Sequence, residues 1–175
     1  MPKQIIKKIE AALHQLDCAI SLYFQESDPI AIHTLACAAH QIIHDINRYR
    51  KGPELLFDSI VFKDEYRCLA KKYLHKHYNF FKHANNDPDP DGTIEFDPHG
   101  TEIFILTSIR GLAYLGIQLN PEHLAFLSYF CFHNPKLLTE KGVQSFIHNI
   151  PVDQLQDIRS LEKGKFLKAF LSLRR

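Results

Sequence analysis

A stripe of cationic, histidine and tyrosine side chains recurs at helical spacing near the middle of the chain. The stripe consists of Arg67, Lys71, His75, Tyr78 and Lys82, which are separated by four, four, three and four residues. This spacing places the five side chains on one face of a helix. Such a stripe can contact the phosphates of a nucleic acid or nucleotide, and its tyrosine can stack on a base. Alternatively, it is a solvated face that complements the helix dipole and pairs with acidic neighbours.

The segment that follows reverses the charge, with six acidic residues and no Lys or Arg between residues 85 and 102. It contains the spacing Asp-x-Asp-x-Asp-Gly, which is typical of the start of a calcium-binding loop. The candidate ligands are Asp87, Asp89, Asp91 and Glu95. Pro98 stands where the loop would carry its bidentate Glu, so Asp97 or Glu102 would have to complete the site. The alternative is an Asp-Pro turn that forms without metal.

A third set of potential ligands lies on the predicted second helix. The set consists of His33, Cys37, His40 and His44, which are separated by four, three and four residues. Imidazole and thiolate groups suit Zn²⁺, but adjacent turns of one helix seldom bring four ligands to one ion. At most two of them would bind zinc, with partners such as His77 or His83. The alternative is that they are packing groups at the edge of a core face.

Two short sequences resemble a group of uncharacterised bacterial all-helical proteins. They are Asn-Phe-Phe-Lys-His-Ala at residues 79–84, followed by Asp-Pro-Asp at 87–89, and His-Thr-Leu-Ala at 33–36. More distantly, the Asn-x-x-x-His of Asn79 and His83 resembles the end of a bundle helix in HEPN domains, many of which are ribonucleases.

The HEPN resemblance implies a metal-independent ribonuclease site. In it, His83 transfers a proton at the attacking ribose 2′-hydroxyl or the leaving oxygen, and a cation offsets the phosphate charge. Asn79 is the polar residue of the same turn. Because Tyr78 stands where those enzymes carry an Arg, Lys76 or Lys82 would supply the charge. The alternative is that Asn79 and His83 cap the third helix and hold the following loop by hydrogen bonds.

Composition limits the class of protein. The 175 residues are 45% hydrophobic and 23% charged, which is typical of a globular domain, and the net charge of +1 gives no whole-molecule attraction for nucleic acid. The four cysteines have no C-x-x-C spacing, and no signal peptide or membrane-spanning run is evident, so a cytoplasmic protein with no membrane partner is expected. The chain has no G-x-S-x-G, P-loop or G-x-G-x-x-G sequence.

Helices must position these residues. Apolar residues at steps of three and four predict a first helix from Ile5 to Tyr23. Asp28-Pro29 starts a second, which ends at Gly52-Pro53 with Gly52 in the left-handed conformation. A third helix is expected over residues 54–83.

The second half of the chain continues the helical pattern. Residues 85–100 form the longest irregular segment, within which the alternation at 93–96 predicts one short strand. Further helices are expected at residues 101–119, 120–133, 140–149 and 154–173. The very apolar 101–119 helix is expected to be the most buried.

The predicted fold class is therefore all-α, a single domain over residues 1–175. It is a bundle of about five main helices with short C-terminal helices. Three functions remain open at this point. The first is a HEPN-like module that contacts RNA or a nucleotide, with or without ribonuclease activity and with no required cofactor. The others are a non-enzymatic interaction or homodimerisation module and a divalent-metal-binding bundle.

Overall fold

The computed structural model describes residues 3–55, 65, 76–83, 88–140 and 160–172 of an all-α bundle, which confirms the predicted fold class. Its α-helices are α1 (Lys8–Phe24), α2 (Pro29–Tyr49), α3 (His99–Tyr114), α4 (Pro121–His133) and α5 (Lys163–Ser172), and a 3-10 turn covers Pro135–Leu137. Residues 76–82 are also helical, and the described residues contain no β-strand. None of the helices within these ranges has the length and apolar character needed to cross a membrane.

The pairing of α1 with α2 begins and ends at local capping signals. Asp28 accepts a hydrogen bond from the Ala31 N–H at 2.8 Å, as the Asp-Pro sequence predicts. The predicted start of α1 at Ile5 is wrong. The Glu10 carboxylate accepts from the Lys7 N–H at 3.0 Å, which fixes the first helical residue as Lys8 and leaves Ile5 exposed before it.

The end of α2 also differs from the prediction. Lys51, and not Gly52, takes the left-handed conformation, with φ of 58°. Gly52 is needed for a different reason, because a Cβ there would lie 2.1 Å from Oδ1 of Asn47. Asn47 is buried and its Nδ2 donates to the Pro53 carbonyl at 2.6 Å, so this glycine lets the chain turn closely around it.

α2 and α3 run parallel to each other. His33, near the start of α2, contacts Thr101 near the start of α3, and Ile43 further along α2 lies beside Gly111 of α3. A Cβ on Gly111 would lie 2.4 Å from Cγ2 of Ile43 and 2.6 Å from Cδ1 of Leu55. The close approach of the two helices therefore depends on glycine having no side chain at position 111.

The predicted strand at 93–96 is not formed, because the described residues offer it no partner strand. Burial nevertheless alternates along this segment as predicted, because Ile94 and Phe96 are half-buried while their neighbours are exposed. The Phe96 ring lies 4.9 Å from that of Phe81 and 5.1 Å from that of His33. The segment is thus held by side-chain packing against helices.

α3 shares the centre of the bundle with α4. Ten of the sixteen residues of α3 are buried, and eight of the thirteen residues of α4 are buried. The two helices are therefore buried to nearly the same extent.

The predicted extension of α3 to residue 119 is wrong. Gly116 takes a φ of 74°, and the Ile117 N–H donates to the Leu112 carbonyl at 3.0 Å, which closes the helix.

The predicted limits of α4 are confirmed, and its start is tied to α1. Asn120 accepts from the His123 N–H at 2.8 Å, and Nδ1 of His123 accepts from the Asn120 N–H. His123 must then carry its proton on Nε2, which donates to Asp17 of α1 at 2.8 Å. Burial lowers the pKa of His123, so the ring remains the neutral form that this arrangement needs.

The C-terminal helix is shorter than predicted. Residues 160–162 are not helical, and α5 begins at Lys163. Its Phe166 is buried against Phe24 and Tyr129. Most of the predicted helices at 54–83 and 140–149 lie outside the described residues.

Replacing Gly111 by Ala is expected to destabilise the protein by about 1–3 kcal/mol, because the added Cβ overlaps side chains of α2 and of the following turn. Gly164→Ala is the matched control, since a Cβ there meets the Phe24 carbonyl oxygen at an ordinary 3.4 Å. Urea unfolding followed by circular dichroism measures both. Equal stability of Gly111→Ala and the wild type would contradict the close α2–α3 contact.

Candidate functional site

The inner face of residues 76–83 is held against the bundle by aromatic packing. His77 is buried, and its Nε2 lies 2.7 Å from the Glu95 carbonyl oxygen, to which it donates. The Phe81 ring contacts the rings of His33 and Phe96, with centroids 5.7 and 4.9 Å apart. These contacts fix the segment on α2 and on the irregular residues 92–97.

The outer face of the same segment carries the predicted catalytic pair. Four of its side chains are exposed, those of Lys76, Asn79, Lys82 and His83. The His83 N–H donates to the Asn79 carbonyl at 3.0 Å, so the two residues lie one helical turn apart. Within the described chain, neither side chain caps the helix by a hydrogen bond. The structure therefore presents both to solvent, on an open surface.

Tyr78 and Lys82 form a pair beside these residues. Nζ of Lys82 donates to the Tyr78 hydroxyl at 2.6 Å. The Tyr78 ring is half-buried and packs against the core, so it has less free surface for a base than the sequence suggested. Its main effect is to hold the Lys82 ammonium at the surface. The other three residues of the predicted stripe lie outside the described residues, namely Arg67, Lys71 and His75.

Three residues of the predicted zinc stripe are buried, and the fourth, His44, is half-buried. Nδ1 of His33 lies 2.8 Å from the Thr101 hydroxyl, and its Nε2 lies 3.3 Å from Sγ of Cys37. Both ring nitrogens of His33 thus have a protein partner. The rings of His40 and His44 stack at 5.9 Å, and Nδ1 of His44 lies 3.3 Å from Asp45. The residues that the structure describes contain no group of three or more ligands suited to a metal.

Burial keeps the His33–Cys37 pair uncharged at neutral pH. Burial, with the nearby imidazole of His77, lowers the pKa of His33 to about 4. Burial raises the pKa of the Cys37 thiol well above its usual range, although the Lys82 ammonium opposes this. A neutral imidazole beside a protonated thiol is a packed polar pair and lacks the thiolate that acts as a nucleophile.

The acidic segment folds as a turn. The Asp91 N–H donates to the Asp89 carboxylate at 3.0 Å, and the Gly92 N–H donates to the Asp89 carbonyl at 3.1 Å. Asp89, Asp91 and Glu95 are exposed, whereas Asp87 lies outside the described residues. These local hydrogen bonds explain the Asp-Pro-Asp sequence without a cation. A calcium site here stays a prediction.

A buried carboxylate network surrounds Glu102 and is not evident from the sequence. Oε1 of Glu102 accepts from the Tyr23 hydroxyl at 2.7 Å, and Oε2 accepts from Nδ2 of Asn134 at 3.2 Å. Burial, followed by the charge of Glu102, raises the pKa of Tyr23 far above its usual range. Glu102 therefore joins α1, α3 and the end of α4, and it is not available to complete a calcium loop. No sequence signal marks partners 79 and 32 residues away.

Lowering the pH is expected to weaken folding through His33. The folded-state pKa of about 4 lies below the unfolded value of about 6.5, so His33 contributes its full stability above the unfolded pKa. This contribution falls as pH drops from 6.5 through 4, with about 2 kcal/mol lost by pH 5.

Urea unfolding at pH 7 and pH 5, in the wild type and in His33→Gln, measures this loss. The variant should lose about 2 kcal/mol less between the two pH values than the wild type, whatever its stability at pH 7. Equal losses in the two proteins would show that His33 is not the buried neutral group described above.

The chain matches no family model, no curated protein and no solved structure. The resemblance of residues 79–83 to HEPN domains therefore stays a prediction. The side chains at this site form an exposed cationic turn and the aromatic and imidazole cluster that holds it.

Proposed function

We propose that the protein is a HEPN-like helical module that contacts RNA or a nucleotide through the outer face of residues 76–83. The observation that supports this most directly is the exposure of Lys76, Asn79, Lys82 and His83 on a segment whose inner face packs against the bundle. Exposed cations on a fixed backbone are suited to contacting phosphates, because little further ordering is needed on binding.

The charges of this face remain available to a ligand. Residues 89–97 contain four exposed acids, but no ion pair joins them to Lys76 or Lys82 within the described chain. The alternative that the cations neutralise the acidic segment thus has no support from the described contacts. Instead, the hydrogen bond from Lys82 to Tyr78 directs its ammonium.

Ribonuclease activity is the narrower form of this proposal. His83 would accept the proton of the ribose 2′-hydroxyl or return one to the leaving oxygen. Lys82, the preceding residue, would offset the negative charge that develops on the phosphate. The 2′-oxygen would form a bond to phosphorus as the P–O5′ bond breaks, leaving a 2′,3′-cyclic phosphate and a free 5′-hydroxyl. Because one proton is removed and one is returned, the reaction requires no metal.

A cytoplasmic location also belongs to this proposal. Cys18, Cys37 and Cys131 are free thiols, and reduced cysteines are typical of a reducing compartment.

Binding and cleavage of fluorescein-labelled RNA in the presence of EDTA test the proposal. Lys82→Gln is expected to weaken binding to all sequences and to reduce the slope of log affinity against log salt by about 0.7, because one phosphate contact is lost. His83→Ala is expected to abolish cleavage while leaving the melting temperature nearly unchanged, because its side chain is exposed.

The control is Lys168→Gln, which removes an exposed lysine from α5 without changing the 76–83 face. It should keep wild-type affinity. Equal weakening by Lys82→Gln and Lys168→Gln would contradict a localised site, and a wild-type protein that binds RNA without cleaving it would remove the ribonuclease form alone.

A further inference from the structure

A second cationic surface lies at the opposite end of α2. Because α1 and α2 are antiparallel neighbours joined by residues 25–28, the segment before α1 lies at the same end as the last turn of α2. The parallel packing of α3 on α2 brings Tyr114, its last residue, to this end too. Tyr49 follows His33 by sixteen residues, or roughly 24 Å of helix. This end is therefore remote from residues 76–83.

Cations outnumber acids at this end. Residues 3–10 and 45–55 contain six Lys and Arg against three acids. The six define the basic end of the molecule and are all exposed: Lys3, Lys7, Lys8, Arg48, Arg50 and Lys51. Two of the acids are engaged locally, Glu10 with Lys7 and Asp45 with Gln41 and His44. Of the six cations, Lys7 alone has an ion pair within the part of the chain that the structure describes.

An exposed aromatic ring stands among these charges. Tyr49 lies between Arg48 and Arg50 and is 89% exposed, so its ring packs against almost nothing in the protein. Tyr114 on the neighbouring helix end is 43% exposed, and its hydroxyl accepts from Arg110 at 2.6 Å. A free aromatic face on a helix end that carries exposed cations can receive a nucleobase while the cations bind the flanking phosphates.

We propose that the basic end binds single-stranded nucleic acid, with a base stacked on Tyr49 and phosphates bound by the surrounding cations. Single strands fit better than duplexes, because only an unpaired base can leave its neighbours to stack on a side chain. This site shares no residue with the 76–83 face, so the proposal does not depend on the function proposed for that face.

The conformation of Lys51 supplies a clean test of the charge. Lys51 adopts a φ of 58°, which glycine adopts with less strain, so Lys51→Gly removes a cation while favouring the folded state. Glu26, with a φ of 53°, occupies the same position at the end of α1. Glu26→Gly is therefore the matched control, because it relieves the same strain and keeps every cation.

Fluorescence anisotropy with a labelled oligouridylate of about 12 nucleotides, in chelator, measures the binding. Tyr49→Ala is expected to weaken binding about tenfold, whereas Tyr49→Phe should stay near the wild type because it keeps the stacking face. Lys51→Gly should weaken binding and reduce the salt slope by about 0.7, while Glu26→Gly should not weaken it.

Three results would overturn this proposal. They are an unchanged affinity when Tyr49→Ala is added to Lys82→Gln, which excludes binding at the 76–83 face, equal affinity for a blunt duplex of the same length, and binding to phosphatidylserine vesicles without binding to the oligonucleotide. The vesicle result would assign the exposed Ile5 and Ile6 beside the cations to a lipid surface. If Lys82→Gln binds normally and Tyr49→Ala does not, this site is supported while the 76–83 proposal fails.

Discussion

The parallel packing of α2 against α3 is the constraint on which the rest of the described structure depends. Two parallel neighbours cannot be joined by a short turn, so the chain must travel back along the bundle between Tyr49 and His99. The returning segment is held by ring packing where α3 begins. Three rings contact each other at the start of both helices, those of His33, Phe81 and Phe96. The cationic turn at 76–83 keeps a defined position because it is part of this return.

The same topology separates charges that nearly cancel in the whole chain. The net charge is +1, yet four acids and no cation lie in residues 88–97, while six cations against three acids lie at the basic end. Electrostatic screening at physiological salt acts over about 8 Å, which is shorter than the roughly 24 Å of helix between the two regions. Each end therefore presents its own field to a partner. The expectation that net charge excludes attraction for nucleic acid applies to the molecule as a whole and not to its ends.

Features of the fold that depend on local contacts are predictable from the sequence. Asp28 and Asn120 cap helices through residues three positions ahead, so the sequence alone places both helix starts. Features that depend on a distant contact partner or on steric fit are not predictable in this way. Gly52 resembles a left-handed cap, but the side chain of Asn47 is what requires it, and Glu102 finds Tyr23 only after the bundle has formed. At the candidate site, the resemblance to HEPN domains singled out Asn79 and His83, whose role stays a prediction, and no sequence pattern indicated the ring cluster that packs beneath them.

The exposure of His83 also bears on what chemistry the 76–83 face can perform. A proton-transfer group in open solvent gains nothing from a low dielectric, and charge developing on a phosphate there is screened by water. Catalysis would therefore require the bound RNA itself to exclude water from His83 and Lys82. Under the same proposal, phosphate binding would require only an exposed Lys82 ammonium, whose position the hydrogen bond to Tyr78 holds. Cleavage would in addition need a surface that the bound RNA completes.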